Sequence, residues 1–120
     1  MSEVQNLLSQ SNTCMLIPTY NNEKTLGDVI QRVMDAVGDT RIIVVNDGST
    51  DSTPSILDAF GDRLTLIAYE ENQGKGNALR LGFKKAIELG YDNVMTIDSD
   101  GQHFPEDIHL LAKSAIRNVF

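Results

Sequence analysis

Arg41-Ile42-Ile43-Val44-Val45-Asn46-Asp47-Gly48-Ser49-Thr50-Asp51 places four consecutive β-branched apolar residues directly before a polar loop that contains a glycine. A strand with one wet face alternates apolar and polar residues, whereas an unbroken β-branched run belongs to a strand covered on both faces, the usual state of parallel sheets. Upstream, Leu26, Val29, Ile30, Val33, Met34 and Val37 recur at helical spacing. They predict a helix over 23–37, capped by Asn22 and stopped by Gly38. Before it, Cys14-Met15-Leu16-Ile17 reads as another buried strand, ended by Pro18 and the polar residues 19–22.

Downstream the same alternation continues. Residues 52–60 predict a short helix capped by Asp51 or Ser52, 64–69 a strand, and 75–89 a helix with Ala78, Leu79, Phe83, Ala86 and Ile87 on one face and Gly90 as its stop. Residues 93–97 predict a fourth strand. Pro105 is suited to the first turn of a last helix, where Glu106 and Asp107 complement the dipole. The order β-α-β-α-β-α-β-α implies an α/β fold, a mainly parallel sheet with helices on both faces. Ligands on such sheets bind beyond the carboxyl ends of the strands, and all the unusual loops lie there: 19–23, 46–51, 70–76 and 98–103.

Composition bounds the reading. The 120 residues suffice for one small core, with an apolar fraction of 41% and a charged fraction of 22%. A net charge of −7 without a basic block argues against nucleic acid as a partner. The single cysteine, Cys14, excludes an internal disulfide and fits a reducing compartment. The polar first residues lack the pattern of a signal peptide, and no apolar run approaches the ~20 residues that span a bilayer. A cytoplasmic location is expected, compatible with docking at the cytoplasmic face of a membrane.

The loops carry the chemistry. Asp98-Ser99-Asp100 leaves the fourth strand with two carboxylates two residues apart, on the same side of an extended segment. That is a suitable mouth for a hard divalent cation with phosphates on its open positions. Gln102 can add an amide oxygen beside Asp100, and His103 can bind metal, contact phosphate or merely flank the loop; His109 reads as a structural helix residue. Asp47 can accept hydrogen bonds from a base or ribose, and Gly48 lets the backbone approach closely. Asp51 reads as a turn or capping residue. Asn72-Gln73-Gly74-Lys75-Gly76-Asn77 opens a helix whose N-terminus favours anions. It lacks the third glycine of a dinucleotide fingerprint and the G-K-[ST] of a P-loop. Arg80 either reaches a phosphate or is solvated; Thr19 and Tyr20 either flank a base or, for the tyrosine, anchor the loop from within the core.

In order and spacing, residues 17–23, 44–51, 72–78 and 98–107 resemble family-2 glycosyltransferases, the last stretch being most similar to the polyprenyl- and dolichyl-phosphate sugar synthase branch. The resemblance runs over roughly residues 13–117. It implies a Rossmann-like nucleotide-diphospho-sugar transferase fold (glycosyltransferase-A) with Mg²⁺ or Mn²⁺, a nucleotide-diphosphate sugar donor, an acceptor lipid phosphate or glycan, and inversion at the anomeric carbon. By motif, Pro18, Thr19, Tyr20 and Glu23 would belong to the nucleotide site and Asp47 would hold the base. Lys75 would lie near base or phosphates and Asp98 near the ribose or a metal-bound water. Asp100 would ligate the metal with Gln102 beside it. Two positions depart from the family pattern: Asn46 stands where an aspartate is usual, and Asn22 where many relatives have glutamate. The catalytic base is expected beyond residue 120, so 13–120 reads as the donor-binding half of a truncated domain and 1–12 as an N-terminal extension. A non-catalytic nucleotide-sugar or protein-binding domain is the alternative. An apolar edge meant for further protein is expected to make the chain self-associate.

Overall fold

The computed structural model describes residues 3–38 and 41–100. The expectations for Gln102, His103, His109 and the helix opened by Pro105 lie outside the described residues. Four strands, β1 (Thr13–Thr19), β2 (Ile42–Asp47), β3 (Thr65–Tyr69) and β4 (Asn93–Thr96), form one sheet in the order β3-β2-β1-β4, every pair parallel. The α/β reading therefore stands, and β3 and β4 keep within a residue of their expected limits. β1 and β2 run two residues further than expected: Pro18 and Thr19 belong to β1 and Asn46 and Asp47 to β2. Pro18 does not end its strand, because β4 stops short of it and its missing N–H costs no ladder bond.

Residue alternation builds two cores. Met15 and Ile17 of β1 and Ile42 and Val44 of β2 face one side, where they meet Leu26, Val29, Ile30 and Val33 of α2 (Leu26–Val37) and Leu57 of α3 (Thr53–Asp58). Cys14, Leu16, Ile43 and Val45 face the other side and pack on Ala78 and Ala86 of α4 (Lys75–Glu88). Every residue of β1 and β2 is buried, which is why neither strand shows polar alternation. β3, at the sheet's edge, alternates between half-buried and exposed residues instead.

The structure adds one element and corrects two further local expectations. The leading segment carries a helix, α1 (Glu3–Ser11), which sets Leu8 into the first core at 1% exposure. With few apolar residues to mark a period, its polar sequence conceals the helix. Asn22 does not cap α2 with its side chain. Thr25 holds the N-cap position, and the Asn22 carbonyl accepts the amides of Thr25 and Leu26 at 3.1 and 2.9 Å. On α4 the buried stripe is Ala78, Gly82 and Ala86, while Phe83 and Ile87 are 42% and 74% exposed. A Cβ on Gly82 would collide with the Leu16 side chain, so the helix comes too near the sheet for large residues on that stripe. Gly38 and Gly90 follow their helices at φ 85° and 87°, as expected of stop residues.

Candidate functional site

The sheet order reverses between β1 and β4: the chain builds outward through β2 and β3, then returns across α4 to the far side of β1. Crevices open at such switch points. Pro18 marks the opening. Leu16 accepts the Ile97 amide at 3.0 Å, so even-numbered residues of β1 turn their polar backbone toward β4. Pro18 is the next in that series, just past the end of β4, where a missing N–H forfeits no ladder bond.

A cavity of about 540 Å³ lies in that crevice, lined by the end of β1 and the loop after it (Pro18, Thr19, Tyr20, Asn22), the end of β2 (Asp47), the third loop and the start of α4 (Asn72, Gly74, Lys75, Ala78), and the segment after β4 (Asp98, Ser99, Asp100). All four loops singled out in the sequence thus meet in one site. Tyr20 is 46% exposed, which removes the alternative that it anchors the loop from within the core. Arg80 is exposed and donates to Asn77 Oδ1 at 2.8 Å, the solvated fate.

Asp47 is 3% exposed, and its carboxylate already receives four hydrogen bonds. Tyr69 Oη and the Gln73 amide donate to Oδ1 at 2.6 and 2.8 Å; Asn72 Nδ2 and the Gly74 amide donate to Oδ2 at 2.9 and 3.0 Å. The aspartate therefore clamps the third loop against the second. Gly48, at φ 70°, permits the contact: a Cβ there would strike the Asn72 backbone. Burial, followed by the bond to Asp47, pushes the Tyr69 hydroxyl above its ordinary pKa, so it stays a donor.

Glu23 does not line the cavity: its Oε2 accepts the Ser52 amide at 2.9 Å, and its own amide donates to Asp51 Oδ2 at 3.2 Å. Asp51 Oδ1 accepts the Thr53 amide at 2.9 Å, the turn role expected of it. Asn21, at φ 51°, accepts the amides of Thr50 and Asp51 at 2.7 and 3.3 Å. Residues 21 and 23 thus fasten the first loop to the second.

Lys75, in the first turn of α4, donates to Asp98 Oδ1 at 2.8 Å. Asp98 and Asp100 both line the cavity wall, and among the described residues no cluster of three metal-binding side chains occurs. Mg²⁺ is commonly held by one or two carboxylates, with substrate phosphates and water completing the shell, so this pair fits a cation that arrives with a diphosphate. Thr19 supports that fit. It is 3% exposed, lines the cavity, and its Oγ1 has no hydrogen-bond partner among the described residues. An orphaned buried hydroxyl costs about 1–3 kcal/mol, a cost that a polar ligand in the cavity would remove.

Of the cavity-lining residues, Asn72 and Ser99 stood out in the sequence only as members of their motifs, Asn22 as a cap and a departure from the family pattern, and Ala78 as a core residue. No local pattern marks their places in the cavity wall, because these depend on segments distant in sequence.

The model of the family described as Glycosyl transferase family 2 matches residues 14–119. The chain is 37% identical to the UDP-N-acetylglucosamine–dolichyl-phosphate N-acetylglucosaminyltransferase of Methanococcus voltae, over 78% of this chain and 43% of that protein. It is 34% identical to the polyprenol monophosphomannose synthase of Mycolicibacterium smegmatis, over 82% of this chain and 39% of that protein. It thus spans less than half the length of either relative. Glucosyl-3-phosphoglycerate synthase of Mycobacterium tuberculosis, solved with UDP, superposes with a TM-score of 0.63 at 27% identity, over 82% of this chain and 37% of that one. A mannosyltransferase of Pyrobaculum calidifontis, solved with GDP-Man and Mn²⁺, shares the fold at a TM-score of 0.65 and 21% identity, over 84% of this chain and 31% of that one.

Proposed function

Because the chain belongs to glycosyl transferase family 2, we propose that it is the donor-binding half of an inverting, metal-dependent transferase acting on a nucleotide-diphosphate sugar. The acceptor is a polyprenyl phosphate or a glycan, the first being the substrate class in the names of the two relatives above. The observation that carries the proposal is the meeting of two carboxylates, Asp98 and Asp100, with Lys75 at a helix N-terminus and the orphaned Thr19 hydroxyl around one cavity.

In this reading Pro18, Thr19 and Tyr20 form the wall on which the nucleoside lies, with the Thr19 hydroxyl as a hydrogen-bonding group for it. Asp47 sets the base end by fixing the third loop, and its saturated carboxylate makes this an indirect role. Lys75 exchanges its bond with Asp98 for one with the diphosphate, aided by the positive end of the α4 dipole. Asp100, and by its motif Gln102, would hold Mg²⁺ or Mn²⁺, which when bound would stabilise the charge that develops on the departing diphosphate. The base that activates the acceptor is assigned to the length of the relatives that this chain does not cover. A cytoplasmic location belongs to the same reading, with the full-length protein docking peripherally where its acceptor is a lipid phosphate. Among the described residues no helix is long and apolar enough to cross a membrane.

Calorimetry of UDP and GDP in the presence of Mn²⁺ tests the reading. Binding that Asp100→Ala weakens is expected. Absence of binding by both this chain and a form extended to the length of the relatives overturns it. Binding without release of nucleoside diphosphate by the extended form would favour the non-catalytic alternative. Self-association belongs to the same reading. An apolar groove lined by Phe83, Ile87, Tyr91 and Val94 lies beside β4, which within the described sheet pairs on one side only. A concentration-independent monomer in sedimentation contradicts it.

A further inference from the structure

Ser99 lies between the two carboxylates, is 3% exposed, and is held at two points by the segment that starts α2. Asn22 Nδ2 donates to Ser99 Oγ at 2.6 Å, and Thr25 Oγ1 donates to the Ser99 carbonyl at 2.6 Å. Thr25 occupies the N-cap position of α2, where a threonine hydroxyl ordinarily accepts a bond from its own helix; none is made here. Its side chain is committed to the fourth loop instead. Asn22 is likewise diverted from capping α2 and reaches 77 residues along the chain to Ser99.

We infer that Asn22 is a positioning residue for the cation site, acting through Ser99 to fix the orientation of Asp98 and Asp100. The inference rests on the reading of Asp98-Ser99-Asp100 as a metal motif. A loop residue held by side chain and carbonyl loses freedom on both sides, so the carboxylates before and after it are presented together instead of being ordered when the cation binds. The same segment carries Asn21 and Glu23, which grip the second loop. Asn22 thereby ties the cation end of the cavity to the nucleotide wall.

The test measures free and bound Mn²⁺ by electron paramagnetic resonance with GDP or UDP present, and the affinity of the same nucleotide without metal. Asn22→Ala and Ser99→Ala are each expected to weaken Mn²⁺ binding about tenfold. The double variant should be no weaker than the singles, since both remove one link, and metal-free nucleotide affinity should fall by clearly less than Mn²⁺ affinity. A general structural lesion would lower both affinities alike. Thr25→Val, nearly isosteric and with no capping bond to lose, should produce a smaller loss and faster amide exchange at residues 98–100. Unchanged Mn²⁺ affinity in a folded Asn22→Ala, or losses that add fully in the double variant, overturns the inference. If Asn22→Ala fails to fold, unchanged affinity and exchange in Thr25→Val overturns it. A wild-type chain that binds nucleotide but no Mn²⁺ removes the metal reading and this inference together.

Discussion

The clearest residue-scale contrast is between Thr19 and Asp47, both 3% exposed beside the same cavity. Thr19 has an unpartnered hydroxyl among the described residues, so its burial is paid for without return in the free protein. Replacing that hydroxyl by a methyl group in Thr19→Val should therefore leave stability unchanged or raise it by about 1 kcal/mol, while weakening nucleotide binding about tenfold. Urea unfolding and calorimetry read the two effects separately; a destabilised variant with normal affinity would mean that the hydroxyl serves the fold. Asp47 is the reverse case. Its carboxylate is saturated by four donors from the third strand and the loop after it, and removing it strands all four. Asp47→Ala should cost about 2–4 kcal/mol in urea unfolding and lower nucleotide affinity as well. An intact urea midpoint would contradict the clamp. The sequence offered Asp47 as a site residue because an aspartate before a glycine in a loop suits polar contacts. It did not tell a ligand-facing carboxylate from a loop-holding one, since the donors come from residues 69–74.

At the scale of elements, the strands and α2 were legible because burial on both faces or on one stripe leaves long apolar patterns. Helix α4 was legible in extent but not in orientation. Its large residues, Phe83 and Ile87, suggested the core-facing side, whereas the distance between helix and sheet selected Ala78, Gly82 and Ala86. Periodicity counts apolar residues and is blind to how close two backbones come. The consequence is measurable. In Gly82→Ala the new methyl group meets Leu16, itself fully buried, and the overpacking cost of about 1–3 kcal/mol should exceed the roughly 1 kcal/mol gained in helix propensity. Gly76→Ala, at the start of the same helix with open space around it, should be neutral or stabilising by up to about 1 kcal/mol. If thermal unfolding finds Gly82→Ala as stable as Gly76→Ala, the close approach is wrong. Helix α1 was missed for a different reason: its short, largely polar sequence holds few apolar residues, of which Leu8 reaches the core.

The whole molecule is organised so that one buried sheet carries four loops to one end, which explains why those loops were legible as a group although their partnerships were not. Asn22 to Ser99 and Asp47 to Gly74 are links between loops, and only the strand order brings them together. The sheet's burial also has a global signature in Cys14, at 0% exposure in the middle of the second core. Burial pushes its thiol from 9.0 up to about 11, against the opposing pull of a backbone hydrogen bond and the Arg41 guanidinium. A group whose pKa is raised by folding contributes stability that is complete below the unfolded value and is lost as pH climbs through the folded one. Cys14 should therefore add no pH dependence below pH 9, and between pH 9 and about 11 the folded state should lose up to roughly 3 kcal/mol as the unfolded thiol ionises first. Tyr91, also raised by burial and then by the Cys14 charge, adds to the fall in the same direction. Urea midpoints across this range should drop steeply in the wild type and less steeply in Cys14→Ala, which keeps the share of Tyr69 and the burial part of that of Tyr91. Identical alkaline profiles for the two proteins would show that the thiol is not held in a sealed sheet, and the two-faced core would have to be redrawn.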